Sequence, residues 1–199
     1  MTSLLDSLKQ QLGPDTIQQI STQLGADPAM TSNAISVALP ILLGGLGRNA
    51  SNPDGAQRLD TALGAHDGSI LNDLGGLLGK SGGGGIGGAI LGHILGSRQA
   101  PVEQGVSKAT GMNAQQVTQL LMMLAPIVMG VLGRMKQQQG LGAQQIPDVL
   151  NQGRADIEKQ SPGSAGLGGI LDSNHDGKIV DDVARIGSSI LGNIFGQRA

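Results

Sequence analysis

The chain has 199 residues, 39% of them apolar, and a formal charge of −2 from 13 Lys and Arg against 15 Asp and Glu. That suffices for a core, but one Phe and no Trp or Tyr make it an aliphatic one and leave no stacking platforms, so single-stranded nucleic acid and carbohydrate are not expected partners. No basic run attracts phosphate or an anionic bilayer, and the lack of Cys removes disulfides, thiol catalysis and cysteine-zinc sites.

Leu4, Leu5, Leu8 and Leu12 have helical spacing; Gly13-Pro14 ends that helix and opens one bearing Ile17, Ile20 and Leu24. Asp27-Pro28 is an N-cap and first-turn pair, and the long helix it opens runs to Arg48 past Pro40, where a kink or restart is expected. Helices are expected next at 53–63, 69–78, 86–96 and 101–110. A second long helix starts after Asn113 and runs to Arg134 past Pro126, again with a kink or restart; 147–160 and 180–196 complete the set. No run alternates β-branched residues, so the expected fold class is all-α with no sheet. The chain starts without a basic leader and apolar run, which makes the cytoplasm the default location and leaves signal-independent export open. Within the charge-free stretch before Arg134 only Leu120 to Gly133 is truly apolar. That is short of the roughly 20 residues a bilayer requires, so it reads as a buried core helix and membrane contact is not favoured.

The two ends of the chain resemble each other. Shifting residues 20–48 by 86 lays Pro40-Ile41 on Pro126-Ile127, and Gly44, Leu46, Gly47 and Arg48 on Gly130, Leu132, Gly133 and Arg134. His66-Asp67-Gly68 likewise meets His175-Asp176-Gly177, and Ile90 to Gly96 meets Ile190 to Gly196. The expectation is two duplicated multi-helix halves, 1–100 and 101–199, packed through small-residue helix faces. Gly84, Gly88, Gly92 and Gly96 form one such face, and Ala184, Ser188, Gly192 and Gly196 its counterpart. A stripe of this kind lets a helix approach backbone to backbone, either within the chain or between copies. The Ser81 to Gly85 tether would let the 86–96 helix reach a neighbour, so a homo-oligomer is the expected partner state.

One segment carries chemistry. In 172–182, Asp172, Asn174 and Asp176 alternate as oxygen ligands of a hard cation, Gly177 allows the sharp turn, and the Lys178 carbonyl falls at the seventh position of an EF-hand-like loop. The closing carboxylate belongs at the twelfth position, which is Val183; Asp181 and Asp182 come one and two residues early. One calcium ion held by Asp172, Asn174, Asp176, Lys178, Asp181 and Asp182 is therefore weighed against a turn that merely caps the following helix. The first-half copy has Leu63 and Ala65 at the ligand positions and is not expected to bind metal. His66, His93 and His175 lack the paired spacing of a transition-metal site, and no Gly-x-Ser-x-Gly elbow or phosphate loop occurs, so no catalytic residue is expected.

The run Ala38 to Asn49, the segment His66 to Leu71, and the blocks Leu124 to Gly130 and Ile90 to Gly96 resemble the YidB-like bacterial domain of unknown function across nearly the whole chain. That resemblance implies an all-helical bacterial protein and carries over no catalytic residue. The 172–182 loop is similar to calcium loops of the dockerin kind. The functional expectation is a non-catalytic scaffold or self-assembling module, oligomer or filament, with a structural calcium site. The alternatives are an interfacial lipid-binding protein using 34–47 and 120–133, and a hydrolase using His66 or His175 with Asp67 or Asp176.

Overall fold

The computed structural model describes residues 3–65, 68–69, 71 and 85–160. Among them there is no strand, and the fold is all-α as the sequence pattern requires. Each start and stop has a local cause. Helix α1, Leu4–Gln11, opens on a capping box in which the Asp6 N–H donates to Ser3 Oγ and the Ser3 N–H donates to Asp6 Oδ2. Helix α2, Pro14–Leu24, ends on Gly25 at φ 58°, the left-handed stop that a side chain resists.

Helix α3, Pro28–Asn49, is capped by Asp27, whose carboxylate accepts from Ala29 and Met30 N–H. Helix α4 follows at Pro53–Ala65, and α5 at Ile86–Leu95. A 3-10 turn at Gly96–Arg98 leads into α6, Gln99–Thr110, which stops on Gly111 at φ 76°. Helix α7, Ala114–Gln139, starts on an Asn113–Gln116 capping box, and α8, Ile146–Gln160, closes the described chain. Of the expected 69–78 helix, only Ser69 and Leu71 are described, in a short 3-10 turn, and the expected 180–196 helix lies outside the described residues.

The aliphatic core is built on α3 and α7. Residues such as Leu42, Leu43, Leu120, Leu121 and Leu124 are fully enclosed, as an amphipathic bundle with no aromatic filler demands. α8 packs most extensively on α3 and runs antiparallel to it, with Asn151 beside Gly47 and Arg154 beside Gly44. α5 and α4 pack chiefly on α7; α6 contacts both long helices, and α1 sits against α7 and α8.

One expectation narrows and one changes. Of the kink or restart expected at each proline, the restart does not occur: Pro40 and Pro126 are buried inside continuous helices. A proline removes one N–H and crowds the carbonyl four residues back, yet flanking turns held on both sides by packing can keep the helix going. The length argument against a membrane span also fails for the helices themselves. α3 and α7 reach mean hydropathies of 1.5 and 1.6 over their most apolar windows and are long and apolar enough to cross a bilayer. Their core role rests on burial instead, 61% and 78% of those windows lying inside the fold.

Candidate functional site

The residues singled out for calcium, Asp172, Asn174, Asp176, Lys178, Asp181 and Asp182, lie outside the described residues, as do His66, Asp67, His175 and the second small-residue stripe. Among the described residues no three His, Cys, Asp or Glu side chains come together as a metal cluster. What the described part does place is α5, the turn before it, and the groove beside it.

α5 meets its neighbours through glycine, but on a different register from the expected stripe. Gly87 is buried against the main-chain carbonyl of Met122 on α7, where any Cβ would collide. Met122 stands four residues before Pro126, so its carbonyl has no helical N–H to accept from; the proline exposes the carbonyl and the glycine lets α5 cover it. On its other side α5 crosses α3 at Gly45, where a Cβ would lie 2.8 Å from Ile94 Cγ2 and 3.0 Å from the Ile94 carbonyl oxygen. The Asn49 side-chain amide fastens this crossing, donating to the His93 carbonyl at 2.7 Å and the Ile94 carbonyl at 3.3 Å, carbonyls at a helix end that lack partners of their own.

Of the expected stripe, Gly84 lies outside the described residues, and its C-terminal part faces outward. Gly92 and Gly96 are exposed and meet nothing among the described residues, and Gly88 only approaches the Met122 sulfur. Ile86, 62% exposed, shares this outer arc with Ala89 and His93. The face therefore carries no charge beyond what a histidine can hold.

The turn at Gly68 is docked on α7. Arg134 Nη2 donates to the Gly68 carbonyl at 3.3 Å, and Gly68, at φ 83°, leaves no room for a Cβ against Arg134 and the Gly130 carbonyl. Two residues after Arg134, Lys136 Nζ pairs with Asp60 Oδ1 at 2.8 Å and donates to the Asp60 carbonyl at 2.7 Å, tying α4 to α7.

Between the end of α3, α4 and α5 lies an open groove of about 720 Å³. Its walls are aliphatic, from Leu46, Leu59, Ile90, Ile94 and Met129, and its rim carries Arg48, Asp54, Arg58 and His93. Sequence reasoning missed this groove and missed Gly87 and Asn49. The only written signal was Pro126, which marks an orphan carbonyl without saying what covers it. The segments proposed for lipid contact, 34–47 and 120–133, are turned inward: Ala34, Ile35, Leu39, Leu42, Leu46, Leu121, Leu124 and Val128 are all buried.

A family model described as a bacterial protein of unknown function (DUF937) matches residues 6–137. The match takes in α1 through nearly all of α7 and stops short of α8 and the acidic loop, so it covers less of the chain than the resemblance suggested. No curated protein and no solved structure matches the chain. With more than half its length matched, the chain belongs to this bacterial family.

Proposed function

We propose that this member of the family is a non-catalytic assembly module whose copies associate through the outer face of α5, with calcium stabilising the C-terminal segment. The observation that carries the reading is that Gly92, Gly96 and the exposed Ile86 face outward, while Gly87 and Gly45 make the close internal approaches. Mid-helix glycine costs about 1 kcal/mol relative to Ala, and at Gly92 no internal contact among the described residues offsets it. A second helix seated there would, since small residues permit close backbone approach. The calcium part rests on the ligand order of Asp172, Asn174 and Asp176. A cytoplasmic bacterial setting fits the composition and the family.

Size-exclusion chromatography with light scattering tests the assembly. Wild type should exceed the mass of one chain, and Gly92→Arg, at an open position, should keep its helical circular-dichroism signal and fall to the monomer. Monomers at every concentration, with calcium and with chelator, sink the reading. Thermal melts with calcium or chelator test the metal: the midpoint should rise with calcium in the parent and not in Asp176→Ala.

A further inference from the structure

We infer that the groove between α3, α4 and α5 binds a single-chain anionic amphiphile, an alkyl chain ending in a carboxylate. The volume of about 720 Å³ is of the size that small ligands occupy. Its walls are branched and linear aliphatics with no aromatic ring, suited to a flexible chain rather than a flat ring system. The neutral polar groups at the rim are already spent inward. The Asn49 amide is bonded to the α5 carbonyls, and Asn52 Oδ1 accepts from the Gly55 N–H at 2.7 Å.

The formally charged side chains at the mouth are Arg48 and Arg58 against Asp54, one positive charge in excess in a chain whose net charge is −2. Arg58 is exposed and has no ion-pair partner among the described residues; Asp54, one turn before it, does not pair with it. A carboxylate at the mouth would meet the fork of Arg58 while its chain leaves water along Leu59 and Ile94, so headgroup and tail are both satisfied.

The test is isothermal titration of the full chain with sodium decanoate below its micellar concentration, against decyltrimethylammonium as the same tail with the opposite charge. Decanoate should bind saturably and about tenfold tighter than the cation, a difference of about 1.4 kcal/mol. Arg58→Glu should abolish that preference, and Ala62→Phe, which fills the groove from its half-exposed wall, should weaken both ligands. Absence of saturable heat, or unchanged decanoate binding in either folded variant, overturns the assignment. So does flotation with phosphatidylglycerol vesicles unaccompanied by decanoate binding, which would place the anion contact on a membrane surface.

Discussion

Gly87 and Gly92 sit five residues apart on one short helix and should respond to the same substitution with opposite signs. At Gly87 a methyl group must displace the Met122 backbone, which α7 holds rigidly, so Gly87→Ala is expected to cost about 1–3 kcal/mol, the range of overpacked cores. At Gly92 the methyl enters open space within the chain, and at concentrations that keep copies apart Gly92→Ala should gain up to about 1 kcal/mol. Urea denaturation of the two variants checks the pair, and equal effects would mean that α5 is not seated on Met122. The sequence could not make this distinction, because Gly83, Gly84, Gly87, Gly88 and Gly92 offer two overlapping four-residue registers of the same residue. Which register faces a neighbour is decided by the carbonyl that Pro126 orphans, a tertiary fact. The chemistry-bearing loop at 172–182 was legible as a ligand order only, with no geometry from the described residues to place its carboxylates.

At the scale of elements, helix boundaries were readable because capping is local. Asp27 and Asn113 act on N–H groups within a turn of themselves and lie where the sequence places them; the stops at Gly25 and Gly111 are equally local, though the sequence pattern was legible only as far as the helices they end. Helix pairing was not, since a salt bridge such as Lys136–Asp60 spans 76 residues of sequence. That contact is the main polar tie between α4 and α7 among the described residues, and Lys136 holds both the carboxylate and the main-chain carbonyl of Asp60. Lys136→Met should therefore lose about 1–2 kcal/mol, and Asp60→Asn less, because the carbonyl bond survives in it. Chemical denaturation of both variants and the double variant tests this, and equal losses from the two single changes would contradict the dual role. With both groups about one-fifth exposed, the pair should weaken only modestly in high salt.

For the whole molecule, the way the two ends are combined matters more than whether they are copies. The first hundred residues do not bury their own long helix: α3 is covered chiefly by α8 and α6, and α4 leans on α7 more than on α3. Like N-caps at Asp27 and Asn113 and left-handed stops at Gly25 and Gly111 are what two copied halves would carry, and we keep duplication as our reading of the sequence. Cross-packing then has a consequence that a pair of side-by-side domains would not. A fragment of residues 1–100 exposes Leu39, Leu42, Leu43 and Leu46 along a helix whose covering partner is missing, and burial of each such leucine contributes roughly 1.5–3 kcal/mol. A net stability of about 5–15 kcal/mol for a whole domain does not survive several such exposures. The 1–100 fragment should accordingly melt without a cooperative transition, and mixing it with the 101–199 fragment should restore helicity and a single transition by calorimetry. A fragment 1–100 that melts sharply on its own, near the midpoint of the full chain, would show that the core is two cores and that α8 on α3 is a surface contact between independent units.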